Sequence, residues 1–444
     1  MTTGTETDAP LTHARVLGIA LPIVAMGMST PLLGLVDTAI IGRLGDAALI
    51  GAVAVGALIF TFLFWAFGFL RMGTTGLTAQ ALGADDGEEI RASFGRAFLI
   101  AIIAGLLLLG LQYPLRELAF LLIQGSGTVE AHALTYFDIR MWSAPFTLTN
   151  YAVLGWLVGM QRTRLAMGLQ IFLNSLNASL DALFVLSFGW GVQGIALGTV
   201  AAETTTALAG LGLIAMLLRQ RGGRWNFSLI VNAAKIARTL SVNRDIMLRT
   251  LLLLAAFTFF TMEGARAGDV TLAANAILMQ FVNFSAFFLD GFAFAAEALV
   301  GAAIGARSRT RFHETVRLTS LWSFLSSVLL CLGFFAAGGL WVDFLTTSIP
   351  VREVARDYLP WAALLPVISV ACFQLDGIFI GATRSRDMRN AAFLSTASFF
   401  LFWWALLPFG NHGLWAALLA FNIARAVTLA RPYPQLVRSV DART

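Results

Sequence analysis

Charge is what this chain has least of. Only 12% of its 444 residues are Asp, Glu, Lys or Arg, 58% are hydrophobic, and the mean hydropathy is +0.78. Soluble domains carry about 25% charged residues, so a soluble globular chain is excluded and no length is left for a separate catalytic domain. Cysteine is almost absent too. Cys331 and Cys372 both fall in apolar runs, which speaks for small buried residues and against a disulfide framework or a thiolate metal site. The four histidines, His13, His132, His313 and His412, lie in expected loops or tails with no partner at metal-ligand spacing, so no metal centre is expected. No GxxxxGK[ST] phosphate loop occurs, which argues against ATP as energy source. With the motifs of enzymes missing, neither catalysis nor an organic cofactor is expected.

Long hydrophobic runs are present instead. A helix of about 20 apolar residues crosses the hydrocarbon core of a bilayer. Twelve such spans are read, near 16–41, 47–71, 95–114, 133–160, 167–188, 191–218, 246–267, 271–303, 318–342, 358–383, 391–409 and 413–430. Lys and Arg collect in cytoplasmic loops. Assigning the loops alternately sends the clusters at 91–96, 162–164, 219–244, 307–317 and 384–389 to one side, and only Arg43, Arg116, Arg266, Arg352 and Arg356 to the other. Both termini are therefore expected in the cytoplasm, in a multi-pass protein of the cytoplasmic (inner) membrane. The net charge of +5 is scattered through loops beside apolar segments, which points to topology and anionic membrane lipid, not to nucleic acid. The first fourteen residues, MTTGTETDAPLTHA, are polar and lack a basic stretch, so the first span is expected to stay as an anchor.

Residues 1–222 repeat in 223–444. Arg43-Leu44-Gly45-Asp46 falls on Arg266-Ala267-Gly268-Asp269, Ala81-Leu82-Gly83-Ala84 falls near Ala303-Ile304-Gly305-Ala306, and Tyr136, Gly155, Gly159 and Arg162 fall on Tyr358, Gly377, Gly381 and Arg384. Six spans separate equivalent points, so both halves enter the membrane with the same polarity. The expected fold is an all-α integral membrane protein of two six-helix bundles related by a parallel repeat, an N-lobe of residues 1–222 and a C-lobe of residues 223–444. Transporters of this construction bind their cargo between bundles.

Acids inside such spans are costly, and their default reading is functional. Eight occur: Asp37, Asp138, Asp181, Glu203, Glu263, Asp290, Glu297 and Asp376. Asp138 lies near an outer boundary and near Arg140, which favours a structural role, snorkelling to the interface or ion-paired. Asp37 and Asp181 stand alone in LLGLVDTAIIG and LQIFLNSLNASLDALFVLSF. Asn174 and Asn177 precede Asp181 by seven and four residues, which puts all three on one helix face. An amide donor favours the ionised carboxylate and burial favours the neutral acid, and that balance is what a proton-exchange site needs. The alternative is a hydrogen-bonded cluster that glues spans together. Pro22 and Pro31 in the first span mark a candidate bend near Asp37. The Phe, Trp and Met content implies an adaptable apolar cavity for amphipathic or cationic compounds.

Three segments carry a family resemblance: LPIVAMGMSTPLLGLVDTAIIGRLG in span 1, QALGA ending span 2 and GWLVGMQRTR after span 4. They resemble the multidrug and toxic compound extrusion (MATE) transporters of the MOP superfamily. NASLDALF, GVQGIALGT, NRDIMLRTLLLL and LDGIFIGATRSRDMRN resemble the DinF (DNA-damage-inducible F) branch. The resemblance implies xenobiotic efflux by cation antiport. It maps a coupling network onto Asp37, Tyr136, Asn177, Asp181 and Thr199, a bending proline onto Pro22, and a cation site of the sodium-coupled branch onto Glu263 and Asp376. Asp290 and Glu297 join those two as candidates for a cation or substrate site in the C-lobe. H+ is the expected coupling ion, with Na+ as the alternative, and a monomer is expected. A flippase of lipids or lipid-linked oligosaccharides is the competing function; it would require several Arg or Lys in the spans, where Arg140 is read as almost alone.

Overall fold

A computed structural model describes residues 11–122 and 126–440. Most of the polar leader read as uncleaved therefore lies outside the described residues. The helices are α1 (His13–Gly42), α2 (Ala47–Trp65), α3 (Phe69–Gly83), α4 (Gly87–Gly110), α5 (Gln112–Leu122), α6 (Gly127–Arg140), α7 (Ala144–Gly159), α8 (Thr163–Ala182) and α9 (Gly191–Gln220). After a single turn, α10 (Phe227–Ile230), come α11 (Ala233–Arg266), α12 (Asp269–Gly305), α13 (Arg309–Leu345), α14 (Ile349–Gly381), α15 (Ser385–Ala405), α16 (Gly410–Ala430) and α17 (Tyr433–Ser439). Among the described residues there is no strand. Among the described residues, nine helical segments are long and apolar enough to cross a membrane, and His13–Ser29 adds a shorter apolar stretch. With α6–α7 and α15 these make the twelve spans, six in each repeat.

Several spans are jointed. α2 and α3 form one segment through the 3-10 turn Ala66–Gly68, and α6 and α7 another through Met141–Ser143. The second joint has a local cause. Pro145 has no N–H to give the Met141 carbonyl four residues back; the Ala144 N–H bonds that carbonyl instead, and Ser143 Oγ donates to the Arg140 carbonyl at 2.9 Å.

The repeat is written into the backbone. α7 and α14 both end by placing one non-glycine residue in the left-handed region, Gln161 (φ 58°) and Thr383 (φ 54°). Each end is closed by the same bonds, Arg162 N–H to Leu157 O at 2.8 Å and Arg384 N–H to Phe379 O at 2.9 Å, which satisfy carbonyls that a helix terminus leaves open. Asp85 and Arg307 (φ 52° each) stand in the same relation after α3 and α12. Glycine supplies the close crossings. A Cβ on Gly155 would strike the Arg71 carbonyl, and one on Gly377 the Ala293 carbonyl, equivalent positions when 1–222 is laid over 223–444.

Two compact units result. One comprises Ala25–Thr78 and Asp86–Leu240, the other the residues up to Val24, Ala79–Asp85 and those from Ser241 on. α1 passes from one unit to the other two residues after the buried Pro22 and is helical throughout. In the first unit the core centres on Trp156, whose indole N–H bonds the Ile90 carbonyl at 3.1 Å. In the second, Phe260, Phe281, Phe334, Phe399, Trp415 and Phe421 pack together. There the Trp415 indole and Asn411 both bond Asn275, at 2.9 and 2.8–3.0 Å.

Gly377→Ala is expected to destabilise the detergent-solubilised chain by about 1–3 kcal/mol, the usual cost of overpacking. Gly212→Ala, where nothing lies within 4 Å of the new Cβ, should stay within about 0.5 kcal/mol or gain slightly. Unfolding midpoints in denaturant compare the two, and equal behaviour would contradict the close crossing.

Candidate functional site

The first unit gathers all five of the N-lobe residues singled out in the sequence. Asp181 is fully buried near the end of α8, where the helix widens into a π-turn, Leu183–Ser187, a distortion frequent at functional sites. Asn177 Nδ2 donates to Asp181 Oδ2 at 2.7 Å and reaches Thr199 Oγ1 of α9 at 3.4 Å. The shared face extends to Asn174, which bonds Ser29 Oγ and O of α1 at 2.9 and 3.2 Å. α8 is thus tied to α1 one face-length away from Asp37. The carboxyl groups of Asp37 and Asp181 lie against each other, yet Oδ1 of each is buried without a donor. An ionised carboxylate only accepts hydrogen bonds, so the two can bond each other only when one is protonated. The arrangement brings the two acids singled out in the sequence together. Gly198 makes room for it, because a Cβ there would collide with Asp181 Oδ1.

Tyr136 is buried within electrostatic reach of both acids, of Arg140 and of Glu203. Its ring lies against Gly56 and meets Phe60 edge-on at 6.1 Å. Arg140, one helical turn on, forms a fork to Glu203 of α9, Nη1 to Oε2 at 3.0 Å and Nη2 to Oε1 at 2.7 Å. Thr147 also donates to Glu203, and the Arg140 guanidinium sits over Phe60 and Phe64, 5.4 Å from each ring centre. Arg140 therefore pairs with Glu203 and not with Asp138, whose half-exposed carboxylate meets Arg116 at 3.3 Å. The sequence hid this pair because its members lie 63 residues apart, with no periodicity linking them.

The candidate acids of the second unit are not brought together as a free carboxylate cluster. Asp376 Oδ2 accepts from Arg249 and, at 2.6 Å, from Arg425. Arg425 also bonds Asn422 Oδ1 at 3.3 Å, and Asp290 acts electrostatically on it. Glu263 sits at the end of α11, bonded to Arg266 at 2.6 Å. Glu297 is wholly buried in α12. Two tethered guanidiniums already neutralise Asp376, so this oxygen set fits a further cation poorly. Arg249 and Arg425 also correct the expectation that Arg140 stands almost alone in the spans. Both lie in helices long and apolar enough to cross a membrane, and it is the buried partner, Asp376, that makes them tolerable.

The MatE family model matches residues 22–183 and, a second time, 246–403. The DNA damage-inducible protein F of Escherichia coli (strain K12) is 41% identical over 96% of this chain and 92% of its own length. The probable multidrug resistance protein NorM of Rhizobium meliloti (strain 1021) is 23% identical over 97% and 95%. Among solved structures, the Vibrio cholerae MATE transporter VcmN in its bent form superposes with a TM-score of 0.86 at 20% identity, covering 97% of this chain and 98% of that one. A MOP superfamily transporter from Pyrococcus furiosus gives 0.86 at 17% identity over 97% of both chains. These structures establish likeness of fold.

Arg140→Met strands the Glu203 carboxylate in the interior and should cost about 3–5 kcal/mol. Adding Glu203→Leu should restore most of that loss, since a well-packed apolar replacement of a buried pair is often neutral. Denaturant unfolding in detergent reads both; equal losses in the single and double variants would contradict a buried ion pair.

Proposed function

The chain belongs to the MatE family of multidrug efflux transporters, and we propose that within it this protein is a proton-coupled antiporter of amphipathic or cationic small molecules in the cytoplasmic membrane. The observation that carries the reading is the facing pair Asp37 and Asp181, with an undonated, buried oxygen on each. Protonation lets the two carboxyls share a hydrogen bond. Loss of the proton leaves two adjacent charges that repel each other in a site with little water. Because Asp37 is on α1 and Asp181 on α8, that repulsion acts between helices. α1 carries Pro22 and Pro31 and is the element best suited to yield, since proline removes a backbone bond and softens a helix. Protonation at the pair then biases two arrangements of α1, and a cationic substrate that competes for the same carboxylates exchanges for the proton.

The four groups around the pair have separate parts. Asn177 orients Asp181 through its amide, and Thr199, whose hydroxyl also donates to the Ile195 carbonyl at 2.9 Å, holds Asn177 from α9. Tyr136 closes the aromatic side. The Arg140–Glu203 pair fixes charge beside the site without taking either acid. Alternating access of the N-lobe and C-lobe delivers the cargo outward.

Protons are favoured over sodium because Asp376 is clasped by Arg249 and Arg425, and a competing Na+ would have to displace a guanidinium. A lipid-linked sugar as cargo is the second reading. The same two arginines favour it, as donors for a phosphate, but their engagement with Asp376 leaves it behind the first.

In proteoliposomes, substrate-driven proton release should fall by about 5- to 150-fold in Asp37→Asn and in Asp181→Asn, the span of a typical coupling free energy. It should be unchanged when external K+ replaces Na+. Undiminished exchange in both variants would sink the proton site, and strict dependence on Na+ would sink the choice of ion.

A further inference from the structure

Departure of a proton from the facing acids creates a charge problem that Asp37 and Asp181 do not solve themselves. Two adjacent carboxylates with little water between them need a counter-charge. Asp376 shows one remedy in this chain, direct contact with the guanidiniums of Arg249 and Arg425. The acid pair has a cation within reach that is bonded elsewhere. Arg140 acts electrostatically on Asp37 and on Asp181, yet its Nη1 and Nη2 are given to Glu203, and Nη1 also to Ser143.

The fork stands at the same offset from the acids on both of its helices. Tyr136 and Arg140 are four residues apart at the end of α6, and Thr199 and Glu203 are four apart in α9, about 6 Å of helix in each case. Tyr136 and Thr199 belong to the acid site, so the fork lies one turn along from it. As the fourth and sixth spans, the two helices run in the same direction, and both displacements point the same way. Arg140 and Glu203 are buried. Glu203 is anchored from α7, by Thr147 Oγ1 on its carboxylate and by Asn150 Nδ2 on its carbonyl at 3.1 Å. Phe60 and Phe64 of α2 cover the guanidinium, each ring centre 5.4 Å away. The other ionisable groups that face the fork are Tyr136, Tyr151 of α7 and, acting on Tyr151, Arg71 of α3.

We propose that Arg140 is a positioning residue for proton release, a fixed counter-charge that Glu203, Phe60 and Phe64 hold one helical turn short of Asp37 and Asp181, with the guanidinium end of the fork toward them. The inference rests on the reading of that pair as the proton site. Held at this distance, the guanidinium stabilises the doubly ionised pair through space. It does so without closing a contact ion pair, which would compete with the proton for the same oxygens. The two rings keep water from the guanidinium, so its field reaches the acids with little screening. Glu203 then has a part that an acid in a plain structural pair lacks, since it is what prevents Arg140 from collapsing onto the acids.

Infrared spectra of the full-length protein in lipid, taken across a range of pH, read neutral carboxyl groups directly. The part of that band lost in Asp37→Asn and in Asp181→Asn belongs to the pair. Two double variants remove the charges of the fork: Arg140→Gln with Glu203→Gln retains hydrogen-bonding groups, and Arg140→Met with Glu203→Leu packs apolar chains in their place. We expect the pair's band in both to persist to a pH at least about one unit higher than in the native chain, a tenfold change in proton concentration, because the charge that favours the ionised form is gone. Arg140→Lys, which keeps the charge, should move the band less than the double variants do. A band that titrates at the native pH in the double variants overturns the counter-charge. A shift in Arg140→Lys as large as theirs overturns charge as the cause. If neither Asp37→Asn nor Asp181→Asn removes a titrating band from the native spectrum, the failure lies with the proton site itself. The band is read at equilibrium, so a variant that no longer transports still gives a result, and the two double variants differ enough in packing for one to serve if the other does not fold.

Discussion

No water stands ready inside a bilayer to satisfy a polar group, and this constraint organises the whole chain. A backbone carbonyl or a carboxylate left open there costs several kcal/mol. The joint at Pro145 is therefore closed by the Ala144 N–H and the Ser143 hydroxyl, the ends of α7 and α14 by identical six-to-one bonds, and Asn275 by Asn411 and Trp415. Against that background, two facing acids with an undonated oxygen on each are an exception the fold has kept, and a single proton resolves it.

The two halves share one scaffold and use buried charge differently. Gly155 and Gly377 allow the same crossing, and Gln161 and Thr383 the same helix end. On that common frame, the first half holds an acid pair next to a closed Arg140–Glu203 fork, and the second holds Asp376 between two arginines. Equivalent positions even differ in sign, for Glu203 falls on Arg425 when the halves are overlaid. Duplication supplied the helices and crossings. Substitution at a few inward positions left one half with two facing acids and gave the other an aspartate held between two arginines.

How much was legible beforehand depended on distance along the chain. Spans, their polarity and the repeat come from local hydropathy and from motifs at a constant offset. The link from Asn177 to Asp181 is one helical turn, which spacing alone discloses. Asp138 is half-exposed and ion-paired, as read, but with Arg116 in place of the nearby Arg140, since positions i and i+2 point away from each other on a helix. Arg249 and Arg425 went unread as a pair because their common partner, Asp376, is 127 and 49 residues away along the chain. Gly198 stood within a recognised motif, but its reason for being glycine is the Asp181 carboxyl on another helix.

By itself, then, the sequence determined that the chain is a membrane-spanning duplication, and which acids are out of place in it. Hydrophobic length and period follow from bilayer thickness and helix pitch, both fixed outside the protein. Only the tertiary structure decided which charges meet: that Asp37 faces Asp181, that Arg140 belongs to Glu203, and that Asp376 is already occupied. Pairing of this kind depends on where separate helices cross. Those crossings are set by glycines against backbone carbonyls and by cores such as that around Trp415, which no single stretch of sequence contains.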